Sequence, residues 1–342
     1  MDGPNEEIPS CQNAETHRLN DLPGAAVASR AAEMSTRWPV CIVLLSLAAC
    51  APTIKPTVDT SSSASEPSEL WVMPTDLATR DLRYGVGGAA SAPDPQAEYV
   101  FHAKDTKGFS DGYDVTGPDG VEWSVKIGPE AQPEVVASRL LWAAGFHQPP
   151  AYYVPQWRLT GGPEPGVKGP ARFRPKPKWL HKTGEWSWQR NPFVDSPAFR
   201  GLIVLNLMLN NADLRTPNNI IYTLRELRDG AERWFVVRDL GGSLGATGFV
   251  YGTRNDLEGF ERQRFVTRVQ GSHVSFDYHG RHRELLRLVT PADVRWAAER
   301  WAVLTDAQWQ AAFEAGGYQP DVAARYIQKL RAKIAEGLAL PQ

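Results

Sequence analysis

Beyond residue 50 the chain has no cysteine; its three, Cys11, Cys41 and Cys50, all lie in the first fifty residues. A cysteine nucleophile, a thiolate metal centre and a disulfide framework are therefore excluded from the remainder. An excess of charge of one sign is lacking too. The 37 basic and 39 acidic residues leave a formal net charge of −2, so nothing marks a nucleic-acid-binding surface. The apolar run over residues 40–49 falls well short of the roughly 20 residues a membrane-spanning helix needs. A serine-centred nucleophile elbow is absent. The histidines, among them His102, His147, His181 and His273, lack the spacing that sets two metal ligands on one helix face. His279 and His282 are a near pair, but Gly280 between them argues for a loop.

Hydrophobic residues make up 42% of the 342, enough for one large domain or two modest ones. Twelve tryptophans point to a rigid, well-packed body, and Trp186-Ser-Trp188 reads as core packing rather than a sugar platform. Residues 1–33 are polar and aperiodic. From Met34 a basic start at Arg37 leads into the apolar run, which has the form of a secretory signal peptide over residues 34–49. The run ends in Leu47-Ala48-Ala49-Cys50, which resembles the lipobox of bacterial lipoproteins. The resemblance implies lipidation of Cys50 and attachment to a membrane through it. Ala51, a residue other than aspartate, implies by the same resemblance the outer membrane, facing the periplasm. Translation is then expected to start at Met34, with residues 1–33 an upstream extension; the alternative is a cytosolic tail ahead of a membrane anchor. Residues 50–70, rich in Ser, Thr and Pro, read as a flexible tether.

Strand patterns come next. Tyr99-Val-Phe-His102 and Tyr113-Asp-Val115 flank a glycine-bearing turn, and a second turn at Pro118-Asp-Gly120 leads into Val121-Glu-Trp-Ser-Val-Lys-Ile127. Here Val121, Trp123, Val125 and Ile127 alternate with Glu122, Ser124 and Lys126, which sets Lys126 and Ser124 on the polar face. A helix is expected over residues 133–144, with Pro133 in its first turn and Gly145 at its end. Residues 71–157 thus form a strand-rich N-lobe. Residues 158–178, dense in Gly, Pro, Lys and Arg, read as a long loop, a linker or a flap, within a hinge region of 158–195. Residues 196–342 read as a helical C-lobe. Ser196-Pro197 starts a helix whose all-round apolar character implies burial. A strand is expected over residues 234–238, helix starts at Thr290 and at Thr305 with a capping box, and a final helix from Pro320. The fold class is α+β with two lobes.

The buried helix runs into Asn210-Asn211-Ala-Asp213-Leu-Arg-Thr-Pro-Asn218, and the later strand into Asp239-Leu-Gly-Gly242. Carboxylates and amides placed just beyond very apolar elements suggest a shared floor, since burying them unpaired is costly. Asn211-x-Asp213-x-x-x-x-Asn218 resembles the catalytic loop of HipA-type kinases, and Asp239-Leu-Gly resembles the metal-binding segment of the wider kinase superfamily. The resemblance covers residues 99–245 and implies a protein-kinase-like fold using ATP and Mg²⁺. It implies that Lys126 holds the nucleotide phosphates, that Glu134 orients Lys126, that Asn218 and Asp239 hold Mg²⁺, and that Asp213 accepts the proton of a substrate hydroxyl. It implies further that Ser124 lies under the adenine and that the loop from Lys107, with Gly108 and Gly112, covers the phosphates.

The pattern departs from the family in three places. Asn210-Asn211 stand where the family has His or Gly, the glycine loop matches weakly, and a charged hairpin over residues 225–233 lengthens the gap between Asn218 and Asp239. Three functions are consistent with the sequence. The first is a kinase acting on a protein or small-molecule hydroxyl. The second is a non-catalytic kinase-like lipoprotein binding a ligand or protein, and the third is a structural envelope lipoprotein. Nucleic acid is not an expected partner.

Overall fold

The computed structural model describes residues 57–58, 65–105, 110–248 and 252–341. The signal peptide, Cys50 and Gly108 lie outside the described residues. In chain order the elements begin with β1 (Thr57–Val58), β2 (Glu98–Asp105), β3 (Gly112–Thr116), β4 (Glu122–Ile127) and α1 (Ala131–Ala143). Then come β5 (Tyr152–Val154), β6 (Trp157–Thr160), β7 (Gly166–Lys168) and β8 (Ala171–Pro175). The second part has β9 (Leu180–Glu185), β10 (Arg190–Asn191), α2 (Pro197–Met208), β11 (Asn219–Arg228) and β12 (Ala231–Val237). It closes with α3 (Leu257–Arg262), β13 (Val266–Gln270), β14 (His273–Phe276), α4 (Pro291–Ala302), α5 (Asp306–Ala315) and α6 (Pro320–Leu338).

The first lobe is a seven-stranded sheet in the order β5-β8-β4-β3-β2-β6-β7. The period-two pattern read at Trp123 and Val125 is what builds it. These two residues pack with Tyr99, Tyr113, Trp157 and Phe173 into a buried aromatic layer on one face. Ring centroids of 5.0 Å for Tyr99–Phe173 and 5.2 Å for Trp157–Phe173, both edge to face, lock that layer. The opposite face carries Ser124 and Lys126.

Residues 158–178 form no long loop: β6, β7 and β8 occupy most of the segment. In β8 the buried run Ala171-Arg172-Phe173-Arg174-Pro175 alternates as a strand must, but its polar members are arginines, which hid the pattern among the glycines and prolines. The end of the expected tether is also part of the folded body. Glu69 and Leu70 are buried, and Glu69 receives Arg233 at 2.8 and 3.0 Å. Residues 71–91, expected in the first lobe, touch both lobes: Gly85 lies against Arg139 of α1, and Gly88 accepts from Tyr152 of β5 at 3.0 Å. Trp71 stacks edge-on against Trp296 at 5.2 Å, and Arg83 reaches Glu314 at 2.6 Å.

The second lobe is organised around α2. Ser196 caps it by accepting from the Phe199 amide at 3.1 Å. The helix is buried on all sides, as its composition requires. Trp186 and Trp188 join the same core. The lobe is less uniformly helical than expected, because β12-β11-β9 form a three-stranded sheet and β13-β14 a hairpin. Thr290 and Thr305 both close capping boxes, starting α4 and α5. The architecture is the two-lobed α+β layout: a sheet with one helix, followed by helices around a buried central one.

Candidate functional site

Lys126 lies on β4, between Gly112 of β3 and Arg172 of β8. Cross-strand partners share a sheet face, so the glycine puts no side chain beside the ammonium while Arg172 does. Lys126 is the centre of an ion cluster. Its Nζ lies 3.0 and 3.1 Å from the two oxygens of Asp239, 2.9 Å from Glu130 Oε2 and 3.5 Å from Glu134 Oε2. Burial works against the charged lysine, but Glu134, Asp239 and Glu130 outweigh it and raise its pKa above the ordinary value.

Glu134 sits in the first turn of α1 with 1% of its side chain exposed. Arg172 Nε stands 2.9 Å from its Oε1, and Arg174 touches the same oxygen. Both guanidiniums also donate to backbone, Arg172 to the Ser124 carbonyl at 2.8 Å and Arg174 to the Arg238 carbonyl at 3.1 Å. Burial pushes the Glu134 carboxyl up, and the cations of Arg172, Lys126 and Arg174 bring it below its usual range. For Asp239 burial acts in the same upward sense. The adjacent Lys126 ammonium, with Arg174 and Arg172 behind it, lowers its pKa from 3.8 to about 2. A third of the Asp239 side chain, 34%, stays open to solvent. Burial beside Arg172 pulls Arg174 down to about 9.

The second set of groups follows α2. Asn210 adopts a left-handed conformation, φ 53°, and ends the helix. Asn211 is fully buried, donating to Asn206 Oδ1 at 2.9 Å and accepting from the Asp213 amide at 3.2 Å. Asp213 is thereby fixed at the start of a loop that returns to β11. Arg215 grips both its oxygens at 2.7 Å, and Arg281 stands 3.3 Å away. Asn218 donates its amide to the Asp213 carbonyl at 2.8 Å and to Oδ2 at 3.1 Å. Among the described residues no hydrogen bond engages Asn218 Oδ1.

Two glycines join the sets. The Arg238 amide donates to the Asn218 carbonyl at 2.9 Å, which brings the segment before Asp239 against the Asp213 loop. The chain then passes between the lobes at Gly241 and Gly242. A Cβ on Gly241 would sit 2.6 Å from Glu130 Cβ, and one on Gly242 3.1 Å from Asn211 Oδ1 and 3.2 Å from Asp213 Cβ. A larger residue at Gly241 would push Glu130 aside, and one at Gly242 would ask Asn211 and Asp213 to give by a few tenths of an ångström.

The structure therefore joins Lys126, Glu134 and Asp239 directly and Asp213 to Asn218 directly, and links the two groups through Asp239-Leu-Gly-Gly. Ser124 lies on the Lys126 face and takes part through its carbonyl. Gly112 lies across from Lys126. Sequence reasoning missed Glu130, Arg172, Arg174 and Arg254; the last also pairs with Glu130. Glu130, at the cap of α1, carried a signal, standing one helical turn ahead of Glu134. The two arginines became visible only through the strand alternation of β8.

Among the described residues no group of three or more His, Cys, Asp or Glu side chains is disposed to hold a metal. Asp239 and Asn218 Oδ1 supply hard oxygens that suit Mg²⁺, an ion that completes its shell with water and phosphate oxygens. The residues thus fit a cation shared with a phosphorylated ligand and do not fit a free-standing metal centre.

The fold is similar to that of solved kinases. The proinflammatory kinase CtkA of Helicobacter pylori aligns at a TM-score of 0.38 and 11% identity, over 71% of this chain and 94% of that one. The Golgi casein kinase aligns at 0.40 and 9%, over 73% of each chain. The Golgi casein kinase with Mn/ADP bound aligns at 0.38 and 8%, over 73% and 72%. Such a likeness concerns the course of the chain and leaves the chemistry to the residues. No protein-family model and no curated protein matches the chain in sequence.

Proposed function

We propose that the two lobes form an ATP- and Mg²⁺-dependent phosphotransferase acting on a hydroxyl group of a protein or small molecule, anchored to the outer membrane through lipidated Cys50. The observation that carries this reading is the contact of Lys126 with Asp239 at 3.0 Å, across 113 residues of chain, with Glu134 fixed behind it. A cation from the sheet lobe and a carboxylate from the helical lobe meet at one point, where charge neutralisation and alignment are what phosphoryl transfer needs.

In this reading Lys126 exchanges Asp239 for the nucleotide phosphates, and Glu134 with its two arginines keeps Lys126 in place. Asp239 and Asn218 hold Mg²⁺, which when bound neutralises phosphate charge. Asp213 takes the proton from the acceptor hydroxyl once Arg215 and Arg281 release it. Those arginines are 46% and 60% exposed, free enough to swing. Their grip on Asp213 also favours a second reading, a kinase-like protein that binds a nucleotide or other phosphorylated ligand without turnover.

Thermal melts of the full chain with ATP and Mg²⁺ separate the readings. Mg²⁺-dependent stabilisation that disappears in Asp239→Ala is expected of both. Phosphate transfer that disappears in Asp213→Ala is expected only of the first. No response to nucleotide removes the phosphotransferase and the nucleotide-binding form of the second reading. For the anchor, Cys50→Ser is expected to end incorporation of labelled palmitate and release the protein from membranes; undiminished labelling rejects Cys50 as the lipid site.

A further inference from the structure

Arg139 is a buried cation that no carboxylate contacts directly among the described residues; the acidic group that acts on it, Asp81, does so from beyond ion-pair distance. It lies on α1 five residues after Glu134 and is 2% exposed. Its Nη2 donates to the Ala151 carbonyl at 2.5 Å, and its buried Nε has no hydrogen-bond partner among the described residues. The Tyr152 ring stands 5.7 Å from the guanidinium carbon, and the Gly85 backbone covers it so closely that a Cβ there would collide with it. Burial draws its pKa down to about 10. Buried charges in folded proteins are ordinarily paired or liganded, because an unpaired ion pays its full desolvation cost. Arg139 contrasts with Arg172 and Arg174 nearby, which share Glu134.

Arg139 is among the residues that line a cavity of about 440 Å³ between residues 83–95, β5 and the end of α5. That volume falls in the range of small-molecule sites. Tyr84 and Tyr153 give it aromatic walls, and Arg83 stands at its rim beside Glu314. Arg83 is 54% exposed and held only by that surface ion pair, which is weak and exchangeable. A fixed cation at the back, an exchangeable one at the mouth and flat apolar sides between them define the complement of one kind of ligand.

We propose that this cavity binds a small anion, a carboxylate or phosphate monoester on a flat apolar body, with Arg139 as its buried counter-ion and Arg83 closing over it. Because α1 carries both Arg139 and Glu134, the bound anion fixes the helix that holds Lys126 in place. This coupling rests on the phosphotransferase reading; the binding does not.

The test uses the full chain with phenyl phosphate, benzoate and the neutral benzyl alcohol as probes, followed by calorimetric titration and thermal melts. Both anions are expected to bind and raise Tm, benzyl alcohol to do neither, and the tighter anion to identify the headgroup. In Arg139→Met, binding is expected to weaken about tenfold or more, the usual loss for a charge-assisted hydrogen bond, while the unliganded Tm holds or rises. Asp239→Ala is expected to keep the response, which separates this cavity from the ion cluster. Equal binding of the anions to wild type and Arg139→Met, or to neither, overturns the proposal. Should Arg139→Met fail to fold, amide exchange decides: phenyl phosphate is expected to slow exchange over residues 84–91 in the wild type, and unchanged exchange rejects the site.

Discussion

Replacing Glu134 by alanine removes one carboxylate shared by three cations. Arg172 Nε and Arg174 lie on its Oε1, and Lys126 lies 3.5 Å from Oε2. Lys126 would keep Glu130 and Asp239, so it is not orphaned. Arg172 and Arg174, 4% and 6% exposed, would keep only backbone acceptors. Taking one partner from a buried ion pair costs about 3–5 kcal/mol, because the remaining charge stays desolvated. Two stranded guanidiniums argue for the upper part of that range. The imperfect alignment of Arg172 Nε, close to Oε1 yet without a well-formed hydrogen bond, argues for the lower. A loss of about 4 kcal/mol corresponds to a fall in Tm of roughly 8–16 °C for a chain of this size. Glu134→Gln keeps an acceptor oxygen and is expected to lose about half as much. Thermal and urea denaturation of the full chain at pH 7 measures both. Since the Glu134 pKa is lowered on folding, its stabilisation is complete above the unfolded value of about 4.3 and disappears as pH falls through the folded value. The gap between wild type and Glu134→Gln should therefore close on acidification. A fall in Tm under about 2 °C for Glu134→Ala, or a double variant with Arg172→Met whose cost is the sum of the two singles, would refute the shared-carboxylate argument.

Three further outcomes follow from the same geometry. His147 is buried, stacked on Trp234 at 4.7 Å and bonded to the Ser68 carbonyl at 2.7 Å, and burial lowers its pKa to about 4. The unfolded imidazole takes up its proton near pH 6.5, so stability should drop by about 2 kcal/mol between pH 7 and 5; an unchanged slope in His147→Gln would exclude His147 as its source. Gly241→Ala, whose new methyl meets Glu130, is expected to cost about 1–3 kcal/mol and to weaken any Mg²⁺-dependent response to ATP, both read in one melt series. Ser196→Ala removes the cap of α2 and should cost about 1 kcal/mol by urea denaturation, with no change in ligand response.

The sequence by itself determined the strongest elements and the faces they present. The period-two pattern around Trp123 and Val125 set Lys126 on the polar side of β4. The all-round apolar run placed α2 in the core, and Ser196, Thr305 and Pro320 marked helix starts. These signals are local, carried by neighbours a few residues apart, and the structure repeats them. Asp213 and Asp239 were legible as candidates because each comes soon after such an element, and Asn218 through its spacing from Asp213. Only the tertiary structure decided which charges meet. Glu134 is shared by Arg172 and Arg174, some forty residues on, and Lys126 reaches Asp239 more than a hundred residues away. Ion pairs leave no periodic trace, and buried arginines read as surface residues until the fold supplies their carboxylate. For the same reason β8 passed for loop, and Arg139 stood out only once burial left it with no carboxylate in contact among the described residues.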